Sequence, residues 1–290
     1  MVRNNGGVAL LFPGQGSQTA DMREQVERGR PDLLELAFAE VGDDPFERAD
    51  EGTRWAQPAI FCAALAGFET LRDRVEPAFM AGHSLGEIAA LVAADALTAE
   101  DGLRLVTARG RLMQQAAEEA GEGGMIAVRA RERAPVERTA AAAGLAVAND
   151  NAPDQVVLSG PDAGLAEAEE RLREAGVRAK RLPVAGAFHS PMMESAVDPF
   201  RALVVETPVR QPRVPVFSCV TAAPFEDIRA QLVEAITRPV RWREVVRALS
   251  ERGATRYVET GPGKVLTNLV RKSLGDVDAE APLSMEAAGA

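Results

Sequence analysis

The sequence predicts an α/β fold in which a large α/β-hydrolase-like domain, built on a parallel sheet, carries an inserted ferredoxin-like subdomain. Three observations carry this. Apolar strands and helical stripes alternate along nearly the whole chain. A short apolar run leads into Gly82-His83-Ser84-Leu85-Gly86 and then into a helix of small residues. The middle of the chain has the order β-α-β-β-α-β. With 290 residues and 46% hydrophobic content, there is ample material for a buried core.

Taken in order, Gly7 to Phe12 reads as a strand that opens into the turn Pro13-Gly14-Gln15-Gly16-Ser17-Gln18. Helical stripes follow at about 31–41 and 57–74, the second with Pro58 placed as a helix starter. Ala78 to Ala81 is a strand, and the turn after it feeds a helix running to Ala94. Thr98 caps a long helix ending near Glu119, with acidic residues in its first turn. The βαββαβ segment reads as strand 125–130, helix 132–143, strands 145–148 and 156–159, helix 161–175 and strand 177–184. Beyond it come a helix at 193–206, a strand at 214–220, helices at 226–237 and 242–252, a strand at 256–259 and a helix after Gly263. The expected division is therefore 1–124 with 189–274 as the large domain and 125–188 as the insertion. Residues 275–290 lack periodicity and are expected to form a flexible tail.

The net charge of −10 argues against a nucleic-acid binder, which needs a basic face. The acidic excess lies entirely within 1–124, whereas 189–274 is basic overall. Only two cysteines are present, Cys62 and Cys219, each in an apolar run, so neither a disulfide framework nor a multi-cysteine metal site is expected. No stretch approaches the roughly 18 to 20 apolar residues of a membrane span, and Met1 to Gly7 has no apolar signal core. A soluble cytoplasmic chain with no membrane partner and no cofactor or metal is the expectation.

The turn at Ser84 fits a nucleophile elbow, because glycines on both sides tolerate the strained backbone that lifts a hydroxyl into the open. An ordinary Gly-rich turn is the plain alternative. A serine nucleophile needs a base, and the chain has two histidines. His83, adjacent to Ser84, should point away from the serine's side and pack as a structural residue. His189, in the loop that leaves the insertion, is then the free partner. Arg109 lies at the centre of an apolar helix face flanked by Leu105, Val106, Leu112, Met113 and Ala116. It must either pair with a protein carboxylate or stand ready for a substrate carboxylate, which a guanidinium can grip with two bonds. The loop around Gln15 lacks the lysine of a phosphate loop, and could instead supply one oxyanion-hole amide, with Leu85 supplying the other. Gly261-Pro262-Gly263-Lys264 suggests a phosphate loop, although a strand-to-helix turn accounts for it equally well.

Over about 8–274 the chain resembles the malonyl-CoA:acyl carrier protein transacylases of fatty acid synthesis and the related acyltransferase domains of polyketide synthases. The matching motifs are Phe12 to Gln18, Gln57-Pro58, Gly82 to Glu87, Arg109 to Gln114, Asn151 to Val157, Gly186 to Ser190, Pro239 to Trp242 and Glu259 to Leu266. This resemblance implies that Ser84 accepts the acyl group, His189 is its base and acid, Arg109 clamps the malonyl carboxylate, and the Gln15 and Leu85 amides form the oxyanion hole. It further implies that Phe188 restricts branched acyl groups and that Arg241, where some members have glutamine, orients His189 through its backbone carbonyl. Asn151 and His83 would support the site from behind. Malonyl-CoA and a phosphopantetheinylated acyl carrier protein are the implied partners, and a monomer is expected. An acidic carrier would meet the basic 189–274 stretch, where Arg243, Lys264, Arg271 and Lys272 are candidate docking residues.

A serine esterase or thioesterase is the rival. It wants an acidic triad member between Ser84 and His189, for which Asp95, Asp101, Asp150, Asp154 and Asp162 are available, but it leaves the insertion and Arg109 unexplained. A discrete polyketide-pathway acyltransferase is the other alternative.

Overall fold

The computed structural model describes residues 6–184 and 186–282. Its elements are β1 (Gly7–Phe12), α1 (Met22–Gly29), α2 (Pro31–Val41), α3 (Thr53–Leu71), β2 (Pro77–Gly82), α4 (Gly86–Ala93), α5 (Ala99–Ala120) and β3 (Gly123–Arg129). There follow α6 (Arg133–Ala142), β4 (Ala146–Ala152), β5 (Gln155–Pro161), α7 (Asp162–Glu174) and β6 (Arg178–Arg181). A 3-10 turn (Pro191–Ala196) leads to α8 (Val197–Glu206), β7 (Val216–Ser218), β8 (Ala223–Pro224), α9 (Ile228–Glu234), α10 (Trp242–Glu251), β9 (Ala254–Glu259), α11 (Val265–Leu274) and β10 (Asp278–Glu280).

Two sheets organise these elements. The larger has the order β10-β9-β1-β2-β7-β8, parallel at every pairing except β7 with β8. Alternation along β1 divides the core between its faces. Leu10 and Phe12 join the apolar cluster that includes residues of α3, α4 and α5, while Ala9 and Leu11 join the one that holds Trp242 and Tyr257. The smaller sheet, β4-β5-β3-β6, is antiparallel throughout and closes on its own core of residues from α6 and α7. In chain order within that unit the strands lie 2-3-1-4, the ferredoxin-like arrangement. It is stitched to the larger unit where Asp150 N donates to Val240 O and Val240 N donates to Ala148 O, both at 2.8 Å.

Several expectations need correction. The segment 278–280 is not a loose tail: it pairs in parallel with β9 as an edge strand, too short to show a period in sequence. Residues 283–290 lie outside the described residues. Helix α1 has no counterpart in the expected elements. Pro58 does not start a helix but sits inside α3, which begins at Thr53. The carbonyl of Arg54 loses its helical donor there, and Arg54 is exposed, where water can serve. The helix expected at 193–206 divides into the 3-10 turn and α8. Thr98 caps α5 as expected, accepting from Asp101 N.

Candidate active site

The strand β2 ends at Gly82 and α4 begins at Gly86, so Ser84 sits at the tip of a three-residue turn. The turn is too tight for side chains. A Cβ on Gly82 would lie 1.9 Å from the Gly86 carbonyl carbon, and one on Gly86 would lie 2.1 Å from the Phe12 carbonyl oxygen. Ser84 itself has φ +54°, a conformation that strains a non-glycine residue. The turn has the strained, close-packed geometry of a nucleophile elbow, which an ordinary Gly-rich turn does not require.

His189 reaches the elbow from the loop after β6, and it too has positive φ, +56°. Its Nε2 lies 2.9 Å from Ser84 Oγ and its Nδ1 lies 3.0 Å from the carbonyl oxygen of Ala235. A carbonyl only accepts, so Nδ1 carries the proton and the Nε2 lone pair faces the serine hydroxyl. Burial, and then the Arg109 charge, push the His189 pKa down to about 3. The imidazole is therefore neutral at physiological pH, with its Nε2 lone pair unprotonated. The expected Arg241 carbonyl is not the orienting group. Arg241 caps the start of α10, where its carbonyl accepts from Glu244 N and Val245 N, and its side chain pairs with Glu244. Ala235, at the end of α9, takes the orienting role.

Arg109 is 3% exposed. It donates from Nη1 to Gln57 Oε1 and from Nη2 to Ser84 Oγ, both at 3.0 Å. Among the described residues it makes no ion pair. Glu87, also buried, is the opposite charge that acts on it; its Oε1 accepts from Cys219 N at 2.5 Å. Burial pushes the Glu87 carboxyl up to about 7 and the Arg109 guanidinium down to about 10, with each charge opposing the shift of the other.

The remaining site candidates fall around the same point. The Gln15 and Leu85 amides have no hydrogen-bond acceptor among the described residues, as oxyanion donors require. His83 bonds elsewhere than to Ser84, with Nε2 2.9 Å from Asn151 Oδ1 and its ring centroid 5.6 Å from that of Trp242, although it lines the same cleft. Phe188 is buried, its carbonyl held by Ser159 Oγ at 2.8 Å. A cleft of about 230 Å³ joins Ser84, His189, Arg109, Gln15, Leu85 and Phe188, with walls from both sheets' units. The docking candidates are less free than expected. Arg243 pairs with Asp150, Arg271 donates to the Ala279 carbonyl of β10, and Lys272 donates to Gln155, while Lys264 is exposed beside the cleft residue Val265. Gly261 to Lys264 is no phosphate loop: the amides of Leu266 and Thr267 at the start of α11 are taken by the buried Glu259 carboxylate, at 3.0 and 2.8 Å.

Among the described residues no carboxylate takes the triad position beside His189, whose Nδ1 meets the Ala235 carbonyl instead. Asp95 pairs with Arg213, Asp101 with Arg104, Asp150 with Arg133, Asp154 with Lys272 and Asp162 with Arg181. What the site offers is a serine hydrogen-bonded to a histidine, two unpaired amides lining the same cleft and a buried cation 3.0 Å from the serine, an arrangement suited to acyl transfer.

Residues 9–285 match the family described as acyl transferase domain. The chain belongs to that family. The acyltransferase is 35% identical to, and superposes with a TM-score of 0.90 on, a malonyl-CoA:acyl carrier protein transacylase from Xanthomonas oryzae pv. oryzae, with 98% of each chain covered. It is 30% identical, with a TM-score of 0.88 over 95% of each chain, to the malonyl-transacylase solved in complex with a type II polyketide acyl-carrier protein. It is 41% identical over 92% of its length to the polyketide biosynthesis protein ThaF of Burkholderia thailandensis, of which it spans only 24%. Thr53 and Ala235 take part in the site although the sequence did not point to them, and Gln57 entered only as part of the matching Gln57-Pro58 motif, with no role attached. Gln57 left a signal, a polar residue inside the apolar run of α3; a backbone carbonyl such as that of Ala235 leaves none.

Proposed function

We propose that this acyltransferase moves a malonyl group from malonyl-CoA to the phosphopantetheine thiol of an acyl carrier protein, through a malonyl ester on Ser84. The observation that carries the reading is Arg109: a buried guanidinium 3.0 Å from Ser84 Oγ that makes no ion pair among the described residues. A buried cation that Glu87 offsets only from a distance, with no ion-pair contact, is costly, and a substrate carboxylate reduces that cost.

In the first half-reaction His189 Nε2 takes the Ser84 proton while Oγ attacks the thioester carbonyl carbon. The amides of Gln15 and Leu85 hold the oxyanion; the carbon–sulfur bond then breaks and the CoA sulfur takes the proton from His189. In the second, the carrier's thiol gives its proton to His189, attacks the ester and leaves with the malonyl group as Ser84 recovers its proton. Losing one oxyanion donor would slow either half about 100- to 1,000-fold. Phe188, buried and lining the same cleft as Ser84 and His189, is the side chain we assign to excluding an α-branch, favouring malonyl over methylmalonyl.

Intact-protein mass spectrometry tests the reading. Wild type mixed with malonyl-CoA gains one malonyl group, Ser84→Ala gains none, and Arg109→Ala loses malonyl uptake while still accepting acetyl from acetyl-CoA. Unchanged malonyl uptake by Arg109→Ala would remove the clamp from the account.

A further inference from the structure

Arg109 is the first member of a longer chain of hydrogen bonds. A guanidinium has donors only, so the Gln57 oxygen must face it. The Gln57 amide nitrogen is thereby turned the other way, toward the Thr53 hydroxyl at 3.2 Å and the Met113 sulfur at 3.6 Å. Having accepted from Gln57, Thr53 Oγ1 has a single proton to give, and it donates to Gln15 Oε1 at 2.6 Å. The direction of every bond is thus set from one end: Arg109 to Gln57, Gln57 to Thr53, Thr53 to Gln15. Gln57 and Thr53 are only 2% and 4% exposed, so water cannot readily stand in for a missing member.

The packing of α3 on α5 makes this path possible. A Cβ on Gly110 would lie 2.8 Å from the Thr53 carbonyl oxygen and 3.2 Å from Arg54 Cα. Glycine beside Arg109 therefore lets the first turn of α3 lie directly against α5. The Thr53 hydroxyl is the point where the clamp on α5 meets the loop after β1.

We propose that Thr53 is a positioning residue that couples the Arg109 clamp to the oxyanion loop, and so tunes preference for carboxylated acyl groups. The inference rests on the malonyl-transfer reading above. When a carboxylate draws Nη2 of Arg109 off Ser84, the bond from Nη1 to Gln57 is the pivot, and Thr53 keeps the Gln57 amide from turning over. At the far end the same hydroxyl holds the Gln15 side chain, and with it the backbone that presents the Gln15 amide.

The test compares Thr53→Val, which keeps the shape and loses the hydroxyl, with Thr53→Ser, which keeps the hydroxyl. Rates are read with malonyl-CoA and with acetyl-CoA. Thr53→Val is expected to lower kcat for malonyl transfer about tenfold, as the loss of one buried hydrogen bond implies, with a smaller change in KM and a reduced malonyl-to-acetyl ratio. Thr53→Ser is expected to restore both. Gln15→Leu, at a partly exposed position that does not touch Arg109, should also reduce the ratio, and it serves if Thr53→Val fails to fold. Wild-type rates in Thr53→Val, failure of Thr53→Ser to rescue, or an unchanged ratio in Gln15→Leu would each overturn the relay. Wild type is run alongside: malonyl uptake there with unaltered variants defeats the relay alone, whereas no uptake by wild type defeats the reading beneath it.

Discussion

His189 shows how a residue's surroundings decide its chemistry. Burial and the neighbouring Arg109 cation hold its pKa at about 3, far below the 6.5 of an ordinary imidazole. Folded protein therefore binds fewer protons at His189 than unfolded chain does between pH 6.5 and 3. Its contribution to stability is intact above pH 6.5 and is lost as pH falls through that window. For catalysis the consequence is that kcat/KM with malonyl-CoA should show no inflection near pH 6.5. The chain has only two histidines, so imidazole resonances followed by NMR give a direct check. His189 is not expected to titrate between pH 6 and 8, and the His83 midpoint should lie below that of an ordinary imidazole because burial lowers it. In Arg109→Ala the His189 midpoint should rise, because one of its two main causes has been removed. A wild-type His189 midpoint near 6.5 would contradict this description of the base.

At the scale of elements, the elbow depends on close approach between β1 and α4. Gly86→Ala would place a methyl group 2.1 Å from the Phe12 carbonyl, a backbone atom that cannot rotate away. Denaturant unfolding should show a loss of about 3 kcal/mol or more, together with loss of acylation; wild-type stability would mean that the turn has slack. The elbow was legible in sequence because glycine, serine and the flanking strand and helix form a local pattern. The ferredoxin-like unit was legible because its strands and helices each carry their own period. The edge strand β10 was not, since three residues cannot display alternation and its pairing with β9 is decided by the larger sheet. The partner of His189 was not legible for a different reason: any residue offers a carbonyl, and which one arrives depends on how α9 packs. Arg109 was legible as a misplaced charge, but its partner Gln57 lies 52 residues earlier and meets it only through helix packing.

For the whole molecule, function depends on two units meeting along one cleft. The larger unit supplies Ser84, Arg109 and the loop around Gln15, while the smaller one contributes Asn149, Asn151, Gln155 and Val157 to the same cleft. The uneven charge fits this plan, with the acidic excess in the first 124 residues and the basic excess toward the far end, where Lys264 stands exposed beside the cleft. The central claim is that the ester on Ser84 waits for a thiol rather than for water. Malonyl-protein freed of CoA should be mixed with buffer, with apo-carrier or with holo-carrier, and followed by mass. The account predicts that the adduct persists in buffer and with apo-carrier, and passes stoichiometrically to holo-carrier. Loss of the adduct at the same rate in all three, with free malonate as the product, would contradict it.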